Sequence, residues 1–135
     1  MTFEQIASMI EGIGIPYAYY QFDETGQAPP FICFYYSGDN DVKADNLNYQ
    51  KIEQLIVEVY TRNKDFELEA SVENALSNAG LVYSRNEVYI NSEKLYQVVY
   101  SCDVLIQSNE RFSPLVGAGQ VGYMRVASGI QEDSE

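Results

Sequence analysis

Ile52-Glu53-Gln54-Leu55-Ile56-Val57-Glu58-Val59-Tyr60-Thr61 is an apolar, β-branched run, and the residues after it read in turn as helix and hairpin. Within the run, Leu55, Val57 and Val59 fall on one side of an extended chain, with Ile56, Glu58 and Tyr60 on the other. The first set is the predicted core face. A helical block over residues 65–79 follows, with Asp65 as candidate cap, Glu67 and Glu69 in the first turn and a stop at Gly80. Leu68, Val72, Ala75, Leu76 and Ala79 recur at helical spacing and form the stripe that would cover a sheet. Glu69, Glu73, Asn74 and Ser77 occupy the other side with no basic residue among them, so the helix is expected to present acid outward.

Two extended segments complete this unit, residues 82–90 and 94–106, with Asn91-Ser92-Glu93 as the turn. The first is expected to be interrupted near Arg85-Asn86. The second alternates an apolar set, Tyr96, Val98, Tyr100, Cys102, Val104 and Ile106, with a mixed set containing Gln97, Ser101 and Asp103. One face is therefore buried along its length. Thirteen extended residues span roughly 43 Å at ~3.3 Å each, which is more than one helix covers. Part of this strand is expected to bend away or to be covered by another chain.

Upstream, Phe3, Ile6, Ile10 and Ile13 share a helical stripe behind a candidate cap at Thr2, with Gly12 and Gly14 near the stop. Pro16 then forces an extended chain, giving a first strand over residues 17–22. A turn cluster, residues 23–27, and Pro29-Pro30 lead into Phe31-Ile32-Cys33-Phe34-Tyr35-Tyr36, a strand apolar on both faces. Such a strand is expected to be central or covered by a neighbouring subunit. Residues 38–48 turn polar and read as an exposed loop or short β-excursion; the acids there lack the register of a calcium loop.

The fold class these elements imply is α+β: a mostly antiparallel sheet of four to five strands, a helix over about residues 65–79 on one face and a short N-terminal helix. Residues 1–107 are expected to form a single domain. The periodicity stops beyond Gln107, and residues 108–135 read as a C-terminal arm or tail, partly disordered in a monomer.

The 135 residues suit one domain, and a hydrophobic content of 46% argues against wholesale disorder. Twenty acidic against eight basic side chains give a net charge of −12, which repels phosphate backbones and anionic membranes and argues against direct nucleic-acid binding. The first twenty residues lack the basic start of a secretory signal, and no apolar run approaches ~20 residues. A soluble, cytoplasmic protein is expected. Cys33 and Cys102 lie within strands and read as reduced core residues. Twelve Tyr point first to half-covered sheet and then to partners.

With no His in the chain, Ser/His, Cys/His and the usual zinc sites are excluded. Gly117-Ala118-Gly119-Gln120-Val121-Gly122 resembles a dinucleotide fingerprint but follows no parallel strand and opens no helix. No catalytic, cofactor or metal site is assigned, and the protein is not expected to be an enzyme. Two other classes stay open, a small-molecule-binding domain or an enzymatic one using a pocket between helix and sheet, for which Cys102 or Cys33 would be the only notable nucleophile.

Ala28-Pro29-Pro30-Phe31, Ala44-Asp45-Asn46 with Tyr49, Glu58-Val59-Tyr60-Thr61, Lys64-Asp65-Phe66-Glu67-Leu68-Glu69 and Ser92-Glu93-Lys94-Leu95-Tyr96-Gln97, in that order and spacing, are similar to a family. Over roughly residues 10–106 the chain resembles the tail terminator, or tail-completion, proteins of long-tailed phages and prophages of Gram-positive bacteria, also labelled minor capsid or head-tail joining proteins. That resemblance implies a virion structural subunit, made in the host cytoplasm, that forms a ring, usually a hexamer. The ring caps the tail tube and meets the head-tail connector or stopper. A head-closure ring of the same neck is the neighbouring alternative. Contacts between subunits or with the tube are expected from residues 38–48, through Asp39, Asp41, Lys43, Asp45 and Asn46, from Gln97, Ser101 and Asp103 on the last strand, and from Arg111 and Phe112 on the arm.

Overall fold

A computed structural model describes residues 1–24, 26–39 and 51–106. The elements run α1 (Phe3–Glu11), β1 (Tyr17–Tyr19), β2 (Phe31–Asp39), β3 (Lys51–Thr61), α2 (Phe66–Asn78), β4 (Tyr83–Ile90) and β5 (Leu95–Ile106). The five strands form one sheet in the order β1-β2-β3-β5-β4, with β1 parallel to β2 and every other pair antiparallel. This is the expected α+β class with a short N-terminal helix. The expected arm at residues 108–135 lies outside the described residues. Among the described residues, no helix is long and apolar enough to cross a membrane.

Local chemistry sets the element ends. Thr2 Oγ1 accepts from the Gln5 N–H at 2.9 Å while Gln5 Oε1 accepts from the Thr2 N–H at 2.9 Å, so α1 begins with a reciprocal capping box. At α2, Asp65 Oδ1 accepts from the Leu68 N–H at 3.0 Å. Gly80 follows at φ +79°, the left-handed conformation that a side chain disfavours and that ends helices. The chain from β3 through α2 to β4 places two strands of like direction on either side of β5, the arrangement a helical crossover permits and a hairpin does not.

One buried cluster gathers Ile6 and Ile10 of α1, Val72 and Leu76 of α2, Ile32 and Phe34 of β2, Leu55, Val57 and Val59 of β3, and Val98, Tyr100, Cys102, Val104 and Ile106 of β5. The strand alternation expected from the sequence is thus the one that buries. The far end of β5 departs from expectation: it neither bends away nor waits for another chain, since Val104 and Ile106 are buried in the same cluster as Ile6 and Ile10. Two helices supply what the length of one could not.

Three further expectations change. β1 stops at Tyr19 instead of running to residue 22, because Tyr20 sits at φ +72°, its N–H donating to the Phe34 carbonyl at 2.8 Å. β4 is continuous through Arg85 and Asn86, both paired across to Tyr100 and Val99. The acidic side of α2 is not turned wholly to solvent, since Glu69 is only 5% exposed. Its Oε1 accepts from Arg85 Nη2 at 2.7 Å, and its Oε2 pairs with Lys64 Nζ. Glu73 Oε2 accepts from Tyr100 Oη at 2.8 Å. Both cations come from outside the helix, Lys64 from the segment before it and Arg85 from β4, so periodicity along α2 could not reveal them. Glu87 Oε1 closes the cluster, accepting from Lys64 at 2.7 Å and from Arg85 at 3.0 Å.

Replacing Arg85 by Met leaves the nearly buried Glu69 with Lys64 alone. The expected loss is about 1–3 kcal/mol, between the ~1 kcal/mol of an exposed pair and the ~3–5 kcal/mol of a broken buried one. Glu87→Gln, at the rim of the cluster, should cost less than about 1 kcal/mol. Urea midpoints of the two variants provide the comparison. Equal midpoints would mean that the burial of Glu69 contributes nothing.

Candidate interaction face

The sheet has two unlike faces. Opposite the buried cluster, alternation places Phe31, Cys33 and Tyr35 of β2 beside Ile56, Glu58 and Tyr60 of β3. Next come Gln97, Val99 and Ser101 of β5, and then Ser84, Asn86 and Val88 of β4. Both helices contribute to the other face, so among the described residues no helix lies over this one. Its middle is nevertheless apolar, with Cys33 and Ile56 buried and Tyr35, Tyr60 and Val99 half-buried. Toward the β4 edge Val88 is 45% exposed, and beside Asp103 on β5 Leu105 is 44% exposed.

At the β2–β3 side of this face lies a cavity of about 440 Å³ between the segment after β1 and the sheet. Its walls are aromatic. Tyr20 meets Tyr35 edge-on with centroids 5.3 Å apart, Phe22 meets Phe31 edge-on at 5.3 Å, and Phe31 stacks on Tyr60 at 4.8 Å. The left-handed backbone at Tyr20, an uncommon state for a residue with a side chain, is held by its bond to the Phe34 carbonyl and sets this ring beside Tyr35. Cys33 and Glu58 also line the cavity, and Gln21, Asp23, Gly26 and Gln27 complete the lining.

Glu58 organises the polar part. Tyr35 Oη donates to its Oε2 at 2.8 Å, Tyr60 Oη donates to its Oε1 at 2.7 Å, and Gln97 Nε2 donates to Tyr60 Oη at 2.8 Å. Burial first, then the hydrogen bond to Glu58, pushes the Tyr35 phenol up to about 12, and the same causes raise Tyr60. Burial, then the charge of Glu58, pushes the Cys33 thiol up to about 12, and burial pushes Cys102 up to about 11. Near neutral pH the phenols are therefore donors and both thiols stay protonated, which is the unreactive form of a cysteine. The cavity can accept hydrogen bonds and positive charge, and neither thiol is activated for attack.

Of the sequence-predicted contact residues, Gln97 joins the Glu58 network directly. Ser101 lies across from Ile56 on one side and Ser84 on the other, and Asp103 is exposed opposite Gln54. Asp39 is the last residue of β2, opposite Glu53 after a register shift. Asp41, Lys43, Asp45, Asn46, Arg111 and Phe112 lie outside the described residues. Sequence reasoning missed Tyr20, Phe22, Phe31, Tyr35, Glu58 and Tyr60 as a group. The available signal was a single acid inside an apolar strand two residues from a tyrosine, beside a second strand with aromatics at alternate positions.

Comparison with protein-family models and with curated proteins finds no match to this chain.

Proposed function

We propose that the protein is a structural subunit of a phage neck, a tail terminator that associates with copies of itself into a ring, capping the tail tube and joining it to the head connector. The observation that supports this reading is the open sheet face, where buried and half-buried apolar side chains stand among polar ones and the carboxylate of Glu58, with no helix over them among the described residues. Surfaces of that composition suit contact with another protein, and a ring subunit needs two such surfaces on opposed sides. The resemblance noted in the sequence points the same way. On this reading the partners are further copies of the chain, the tail-tube protein and the connector or stopper, and the location is the virion after assembly in the host cytoplasm.

Size-exclusion chromatography with light scattering, followed by negative-stain microscopy of the protein alone and mixed with purified tail tubes, tests the proposal. Annular particles, or density at one tube end, are expected. A strict monomer at every concentration that also leaves tube ends bare would overturn it.

A further inference from the structure

We propose that the aromatic cavity around Glu58 is a receptor for the guanidinium group of an arginine side chain carried by a partner polypeptide. The assignment stands on this cavity's own chemistry and does not depend on the ring reading.

Charge decides the class of ligand. Glu58 is half-buried, and among the described residues no lysine or arginine pairs with it. Its two donors, Tyr35 and Tyr60, are neutral phenols, so no cationic side chain among the described residues offsets the carboxylate. Asp23 adds a second acid to the lining, and the aromatic rings of Tyr20, Phe22, Phe31, Tyr35 and Tyr60 border the same space, where a cation can meet their π-electrons. A chain of net charge −12 draws cations to all its surfaces, but here the carboxylate and the rings converge on one space.

Geometry selects guanidinium over ammonium. Each Glu58 oxygen already accepts one phenol and retains a lone pair, so the carboxylate can still accept one further hydrogen bond at each oxygen. A forked, planar donor fits those positions, and its flat face can lie against an aromatic ring of the lining, which a compact ammonium cannot do. The position of the cavity selects a polypeptide as the source. Small-ligand sites enclose most of their ligand, typically ~70–90% of its surface. This cavity opens along the sheet face, and a side chain arriving on a partner brings with it the surface that closes the open side.

The test is a two-dimensional NMR titration of the full chain with the blocked tripeptide acetyl-Gly-Arg-Gly-amide, alongside its lysine counterpart and guanidinium chloride. Saturable shifts centred on the rings of Phe31, Tyr35 and Tyr60 are expected, with the arginine peptide binding several-fold more tightly than the lysine one. Glu58→Gln should weaken binding about tenfold or more, while Glu4→Gln, which removes an equal charge from α1, should leave it unchanged. Phe31→Leu, which keeps the carboxylate and removes a stacking ring, should weaken binding several-fold and serves if Glu58→Gln does not fold. Shifts scattered over the acidic surface without saturation, or equal binding by the wild type and Glu58→Gln, would overturn the proposal. Binding of guanidinium chloride with none of the arginine peptide would make this a small-cation site and overturn the assignment to a polypeptide.

Discussion

Raising the pH through 10 to 12 is expected to unfold this protein in one cooperative step, with its tyrosines ionising as the fold is lost and not before. Burial raises Tyr36, Tyr60 and Tyr100 well above an ordinary phenol, and Tyr35 stands at about 12. Hydrogen bonds to Glu58 add to the effect at Tyr35 and Tyr60, and a bond to Glu73 adds at Tyr100. Cys33 and Cys102 are raised to about 12 and about 11. In each case the fold favours the neutral form. The stability this contributes is fully present below the unfolded values, 9.0 for the thiols and 10.0 for the phenols, and is lost as pH rises toward the folded ones.

Each such group steepens the loss by up to about 1.4 kcal/mol per pH unit. Three or four acting together would exhaust a typical stability of ~5–15 kcal/mol within two or three units. Lys64 adds in the same direction. Burial pulls its ammonium down, but the hydrogen bonds to Glu69 and Glu87 raise it beyond that, so its contribution also fades as pH climbs past 10.5. Glu87 works at the other end of the scale. Held below the usual carboxylate range by hydrogen bonds from Lys64 and Arg85, it contributes stability that is present above 4.5 and lost as pH falls further. Tyrosinate absorbance and far-ultraviolet circular dichroism, followed together, should change in one shared alkaline transition. Smooth phenol titration about pH 10 with the dichroism intact to pH 12 would show that these hydroxyls are not held by the fold.

The second large effect separates the two faces of the sheet. Leu55 is fully buried within the cluster, so Leu55→Ala should cost about 3–5 kcal/mol through lost transfer energy and the cavity left behind. A shift of that size lowers Tm by more than about 10 °C in a domain this small. Val88→Ala, on the open face and 45% exposed, should stay within about 0.5 kcal/mol in an isolated chain. If the open face is where copies meet, substitutions such as Val88→Asp should instead abolish annular particles while leaving Tm nearly unchanged. Thermal melts and microscopy on the same preparations separate the two consequences. A Val88 variant that melts as early as Leu55→Ala would mean that this face is also core.

The elements themselves were legible because they depend on neighbours along the chain. The alternation through residues 52–61 and 94–106, the spacing of Val72 and Leu76, the caps at Thr2 and Asp65 and the stop at Gly80 are local properties, and each stands where the pattern placed it. The Glu58 site was not legible, because Tyr35 lies 23 positions and Gln97 39 positions from the carboxylate they surround, directly or through Tyr60. Glu69 was misplaced for the same reason. Its partners sit on two other segments, and a helical wheel contains neither.

By itself, then, the sequence determined which segments are helical or extended, though not where β1 ends or that β4 is unbroken, and which side of β3 and β5 is core, since hydrophobic period and capping act over a few residues. Only the tertiary structure decided that β5 lies between β3 and β4, that Ile6 and Ile10 of α1 share one buried cluster with Val104 and Ile106, and that one sheet face with a carboxylate among its aromatic rings has no helix over it among the described residues. Those outcomes turn on pairings between distant segments, whose free energies depend on how the strands are ordered side by side, and strand order is not written in any local period.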